Sequence, residues 1–210
     1  MTFAGFPSAA FDFYDDLEID NSKTFWDAHK TVYEQAVKRP MQELTAALES
    51  EFGAVKLFRP YRDVRFAKDK TPYKTHQGAF VAAGPATGWY LELAASGFRV
   101  GAGYYDASSA RLAAIRQAID APTGAELEKV VRRLSRAGWQ ISGDAVKTTP
   151  RGYDAGHPRI DLLRHKTLFA GRSYSFDEVI DRPELLNRIR KDWRAVTPLV
   201  DWLITHPAEV

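Results

Sequence analysis

Six cations stand between Arg59 and Lys74, at Arg59, Arg62, Arg65, Lys68, Lys70 and Lys74, and the only acids among them are Asp63 and Asp69. Two or three guanidinium forks with several ammonium groups suit an anion that has several oxygens, because Arg supplies planar bidentate contacts and Lys supplies point charge. Tyr61 and Tyr73 add hydroxyl donors or a ring face. His76 closes the run with an imidazole that titrates near neutral pH, the best candidate there for general acid/base work. From Arg59 to His76 the net charge is +4 in a chain of formal net charge +2, so the remaining residues sum to −2. Two acids cannot neutralise six cations, so the run needs acids from elsewhere or benefits from a bound anion.

The ligand-binding set expected on these grounds is Arg62, Arg65, Lys68, Lys70, Tyr73 and Lys74, with Arg116 as a further partner for the ligand or for a buried acid such as Glu92. Asp63, Asp69 and His76 are the candidate proton carriers. Two other readings compete. The run is a flat patch for nucleic acid or protein, with binding that falls steeply with salt, or it is a structural ion-pair network in which Asp63 and Asp69 pair with Arg62, Arg65, Lys68 or Lys70 and the other cations take acids from Glu18, Glu34, Glu43 or Glu92. Strand alternation bears on the choice: if Arg62 to Phe66 is extended, Arg62, Val64 and Phe66 share one face and Arg65 lies on the other. Pro72 makes the second half a loop, since it cannot donate to a ladder and biases Thr71 away from helix.

Other chemistry is thinly represented. His29, His76, His157, His165 and His206 form no compact metal-binding pattern, and without cysteine a zinc site would need distant histidines and carboxylates, so no metal and no cofactor is expected. Gly101-Ala102-Gly103 lacks the third glycine of a dinucleotide loop and instead marks a strand that something approaches closely. There is no Gly-x-Ser-x-Gly elbow, Ser-x-x-Lys pair or Walker-type loop, so the motifs leave open whether the chain is an enzyme.

The elements that must position the run follow from periodicity. Phe11, Tyr14 and Leu17 mark a short helix capped by Ser8, and Phe25, Trp26, His29, Val32, Tyr33, Ala36 and Val37 mark a longer one from Thr24, with Pro40 either kinking it or opening another. Val55, Leu57, Val64 and Phe66 read as extended, and Ala79–Ala83, Trp89–Ala95 and Phe98–Tyr104 as an antiparallel meander. Helices are expected at Ser108–Ile119 and Gly124–Arg136, a small hairpin at Trp139–Ile141 with Ala145–Thr148, a short helix near Leu162, a strand near Leu168–Tyr174 and a helix from Pro183. The expected whole is a single α+β domain over 1–210, with a helical N-terminal part 7–52, a mainly antiparallel sheet 55–104, helices 107–137 and a mixed part 139–210.

Hydrophobic residues make up 45% and charged residues 27%, which fits an ordinary folded protein with one sizeable core. The chain has no cysteine, no signal-like start and no apolar run long enough to span a bilayer, so a cytoplasmic location without membrane contact is expected. Composition is silent on oligomeric state.

Arg62-Asp63-Val64-Arg65-Phe66-Ala67-Lys68-Asp69-Lys70-Thr71-Pro72-Tyr73-Lys74 resembles the hallmark stretch of the bacterial and fungal family catalogued as domain of unknown function 2461. Asn21-Ser22-Lys23-Thr24-Phe25-Trp26 with Tyr33 and Pro40, Gly101-Ala102-Gly103-Tyr104 with Leu112 and Arg116, and Pro150-Arg151-Gly152-Tyr153 with His157-Pro158 are similar as well. Asp20 departs from the second Asn that relatives carry. The resemblance implies a single α+β domain and makes the basic run a family hallmark, and it implies no activity. Taken together, the residues point to a small phosphate- or carboxylate-bearing ligand held in a basic pocket between Arg62 and Lys74, with acid/base chemistry open to it.

Overall fold

Ser22 opens the longest helical stretch by accepting a hydrogen bond from the Phe25 backbone N–H at 3.1 Å, which satisfies one of the donors a helix start leaves free. A computed structural model describes residues 2–175 and 179–208. Before that stretch comes α1 (Ala9–Ile19), burying Phe11, Phe13, Tyr14 and Leu17. Ser8 stands at its start but makes no side-chain cap bond. The turn has already begun there, because the Ala10 N–H donates to the Pro7 carbonyl at 2.9 Å.

Helix α2 (Lys23–Val32) runs through a wide π turn, Tyr33–Lys38, into α3 (Arg39–Phe52). Pro40 stands in the first turn of α3, the second of the two expected outcomes, with the helical stretch continuing through it. Its ring would strike the carbonyl four residues back and it has no N–H to give. The wide turn just upstream, where the Arg39 N–H reaches the Glu34 carbonyl, takes up the misfit.

The strands are β1 (Val55–Leu57), β2 (His76–Gly84), β3 (Thr87–Ala94), β4 (Gly97–Tyr104), β5 (Gln140–Ser142) and β6 (Leu168–Tyr174). They form one antiparallel sheet in the order β1-β2-β3-β4-β6-β5, in which β2, β3 and β4 are the expected three-stranded meander. Lys56 pairs with Phe80 and Ile141 with Ala170. Helices α4 (Ser109–Asp120), α5 (Gly124–Arg136), α6 (Ile160–Arg164) and α7 (Glu184–Thr205) complete an α+β fold. Ser108 caps α4 by accepting from the Arg111 N–H at 3.1 Å.

Two expected elements are absent. Val64 and Phe66 lie in no strand, because Asp63 and Asp69 accept bonds from the backbone N–H groups of Arg65 and Thr71 two residues on, at 3.3 and 2.9 Å. Such local bonds compete with a ladder. Nor do Ala145–Thr148 pair with Trp139–Ile141. The chain turns at Gly143 around Thr167, whose hydroxyl accepts from the Asp144 N–H at 2.7 Å, and β5 pairs with β6 instead. A Cβ at Gly143 would stand 2.0 Å from the Thr167 carbonyl oxygen. The glycines at 101 and 103 mark the close approach expected of them: a Cβ at Gly103 would lie 1.9 Å from the Leu168 carbonyl oxygen.

The chain divides into two compact units, one of Met1–Val81, Tyr90–Arg99 and Ser173–Arg190, the other of Ala82–Trp89, Val100–Arg172 and Lys191–Val210. Phe6, Leu17, Trp26, Val37, Leu44, Val81, Leu91 and Phe98 are buried in the first, and Val100, Ile115, Leu127, Leu163, Trp193 and Leu199 in the second. In the second unit the Asp192 carboxylate, 2% exposed, meets the Arg172 guanidinium at 2.8 Å, and that guanidinium lies over the Trp139 ring. Among the described residues no helix is long and apolar enough to cross a membrane.

Candidate functional site

The basic run lies wholly in the first unit and forms a loop with a pinched neck. Tyr61 and Tyr73 bridge across the neck. The Arg62 N–H donates to the Pro72 carbonyl and the Lys74 N–H to the Pro60 carbonyl, each at 2.8 Å. Within the loop the acids clamp particular cations. The Arg62 guanidinium donates to the Asp69 carboxylate and to the Thr71 hydroxyl. Arg65 grips Asp63 with two parallel bonds, Nε to Oδ1 at 2.9 Å and Nη2 to Oδ2 at 2.6 Å. These charge-assisted bonds hold both carboxyls below their ordinary range, Asp63 by Arg65 and Asp69, at about 2, chiefly by Arg62. Lys70 turns its ammonium onto the Val64 carbonyl at 2.9 Å. Lys68 is exposed, and Phe66 is 96% exposed.

Two side-chain amides fix the ends of the run. Asn21 accepts from the Tyr73 N–H and donates to the Tyr73 carbonyl, both at 3.0 Å, as a neighbouring strand residue would. Gln77, buried, accepts from the Tyr33 hydroxyl at 2.7 Å and donates to the carbonyls of Phe58 and Gly78 at 2.8 and 2.9 Å. The Tyr73 ring stacks on Trp26 with centroids 4.2 Å apart and planes at 5°. Trp26 and Tyr33 are thus core, and Tyr73 belongs to the same stack with only 5% exposure. Burial, with the nearby Asp27 and Tyr61, raises the Tyr73 phenol.

Strand alternation puts Gln77, Ala79, Leu91 and Leu93 on the buried side of β2 and β3, and half-buried His76, Tyr90 and Glu92 on the other. Lys74 belongs with this second group. Its ammonium lies over the Phe58 ring, 5.3 Å from the centroid. Desolvation lowers its pKa and the like charge of Arg59 lowers it further. The Phe58 and Tyr90 rings are 6.3 Å apart, over Gly78. The Tyr90 hydroxyl donates to Glu92 Oε2 at 2.5 Å, and His76 Nε2 stands 3.8 Å from the same oxygen. Burial and the Glu92 carboxylate push the Tyr90 phenol far above its usual range, so it stays a protonated donor.

Of the residues singled out from sequence, Arg62, Arg65, Lys70, Asp63 and Asp69 are engaged with one another or with the loop backbone, Tyr73 is stacked and buried, and Lys74 and His76 share the face of β2 and β3. Arg116 belongs to the second unit, where its Nε donates to the Leu163 carbonyl at 2.9 Å. Glu34 and Glu43 pair with Lys38 and Arg39 along their own helix, so they do not complete the run. Sequence reasoning missed Phe58 and Tyr90 and assigned Glu92 a different partner. The signal for the last two was the polar alternation of Tyr90 and Glu92 between Leu91 and Leu93. Among the described residues no set of His, Asp and Glu gathers to hold a metal.

The family model described as conserved hypothetical protein (DUF2461) matches residues 9–202, and the chain belongs to that family. No curated protein and no solved structure matches it.

Proposed function

We propose that this member of the family binds a small anionic ligand, bearing phosphate or carboxylate, at the neck of the basic loop beside Lys74 and Arg59, in the cytoplasm. The carrying observation is the Lys74 ammonium: half-buried against Phe58, crowded by the Arg59 charge, and with no ion pair among the described residues. Lys74 is repelled by the exposed Arg59 and has no counter-charge of its own, and an anion supplies one. Arg62 and Arg65, clamped by Asp69 and Asp63, shape the loop and lend it rigidity. This moves the ligand from the middle of the run to its Lys74 end. It leaves His76, beside Glu92, as the group for any acid/base step, since carboxyls held as low as Asp63 and Asp69 are poor proton acceptors near neutral pH. The lack of cysteine accords with a reducing compartment.

A thermal-shift titration with inorganic phosphate and with acetate tests the reading. A ligand at ten times its Kd stabilises by about 1.4 kcal/mol, or about 3–6 °C in a domain of this size. Arg59→Ala/Lys74→Ala should abolish the shift without lowering the unliganded melting temperature by more than about 3 °C. A wild-type protein that neither anion shifts sinks the proposal.

One observation favours a second reading. Phe66 stands almost fully exposed between Arg65 and Lys68, as a base-stacking or partner-docking side chain would on a nucleic-acid or protein interaction module.

A further inference from the structure

We propose that the half-buried face of β2 and β3 selects an organic anion that also carries a hydroxyl group, such as a sugar phosphate or a hydroxy acid, and that Glu92 reads the hydroxyl. The inference rests on the anion reading and names the ligand class for the same site.

Lys74 supplies a positive end and Glu92 a negative end, and a chain of side-chain contacts runs from one to the other. The Lys74 ammonium lies over Phe58, Phe58 borders Tyr90, Tyr90 donates to Glu92, and Glu92 stands beside His76, two residues from Lys74. Glu92 Oε2 is taken by the Tyr90 hydroxyl at 2.5 Å, with His76 Nε2 at 3.8 Å. Oε1 has no partner among the described residues, although the side chain is only 23% exposed. An ionised carboxylate can only accept, so that oxygen calls for a donor. The same carboxylate repels a second phosphate, which selects against polyanions.

Between the two ends lie the Phe58 and Tyr90 rings, tilted by 35° to each other. A Cβ at Gly78 would stand 2.8 Å from Tyr90 Oη and 3.0 Å from Phe58 Cδ2, so the rings lie low over a position that holds no side chain. Lys74 with Arg59, and Arg99 whose charge acts on Tyr90, outweigh Glu92 in charge, which favours a ligand of net negative charge, with a neutral hydroxyl as its donor, over a zwitterion bearing an ammonium group.

Calorimetric titration of the full chain decides the matter, with ribose 5-phosphate set against methyl phosphate, gluconate against acetate, and β-alanine as a zwitterion. The hydroxylated member of at least one pair should bind about tenfold more tightly than its partner, as one charge-assisted hydrogen bond allows. Which pair shows the preference separates phosphate from carboxylate. Glu92→Gln should cut the ratio to about threefold or less and leave the hydroxyl-free anion bound as well as before or better. Tyr90→Phe, which keeps the carboxylate, should retain the preference. Equal binding within about threefold in both pairs, or a full preference in Glu92→Gln, overturns the inference and leaves the anion reading standing. β-alanine binding more tightly than gluconate assigns Glu92 to an ammonium group and overturns it too. No binding by any of the anions removes the anion reading and this inference together.

Discussion

Asp69 and Lys74, five residues apart, meet opposite electrostatic fates. Asp69 is solvated and clamped by Arg62 and Thr71, so its folded pKa, about 2, lies below the ordinary 3.8. A carboxyl depressed on folding contributes stability that is complete above about pH 4 and is lost as pH falls through about 2. Asp69→Asn should therefore melt slightly lower than wild type at pH 7, by about 2 °C for so exposed a pair, and the two curves should converge near pH 2. Equal melting temperatures at pH 7 and pH 3 would show that the clamp adds nothing. Lys74 behaves in the reverse sense: burial and Arg59 lower its pKa, so its penalty is greatest when it is protonated and lifts as pH rises toward the unfolded value. The acids adjacent in sequence to these cations were legible as partners. Which acid takes which cation was not, since Arg62 reaches past Asp63 to Asp69, seven residues on, through the fold of the loop.

Elements decide which side chains reach a common face. The meander, the capped helix from Ser22 and the helix from Pro183 follow from hydrophobic period and punctuation, signals that are local and that packing did not override. The missing strand at Val64–Phe66 reflects bonds from Asp63 and Asp69 to backbone two residues on, and the missing hairpin at Ala145–Thr148 a bond between Asp144 and Thr167, 23 residues apart; hydrophobic pattern records neither. Tyr90 and Glu92 were hidden for a different reason: they come to His76 and Gly78 only through strand pairing. Gly78→Ala probes that pairing. Its Cβ would press on the hydroxyl end of Tyr90 and on the Phe58 ring edge at Cδ2, costing about 1–3 kcal/mol in urea unfolding and displacing the Tyr90 hydroxyl from Glu92. A variant as stable as wild type, with unchanged ligand preference, would show that the rings do not form a fixed floor.

For the whole molecule, charge is the discriminating quantity. A chain of formal net charge +2 carries +4 in one run, and two of its six cations are clamped by the run's own acids. A nucleic-acid surface built on the remaining four would show log Kobs falling with log[salt] at a slope of at most about −3, since single strands lose about 0.7 per phosphate contact. For a small-anion site we expect no oligonucleotide binding tighter than about 100 μM at 150 mM salt, in line with weak non-specific contact. Measurable binding with a slope approaching about −3, or a tenfold loss of oligonucleotide affinity in Phe66→Ala, would favour the interaction module.

The double bond from Asn21 to the Tyr73 backbone has a spectroscopic consequence. A side-chain amide that donates and accepts at one strand position cannot rotate without breaking both bonds, and its two protons become distinguishable from each other. Asn21 and Gln77, the amides that fix the ends of the run, are therefore natural probes. A slowly exchanging Asn21 amide proton would time each opening of the loop neck, with no label added to the loop itself.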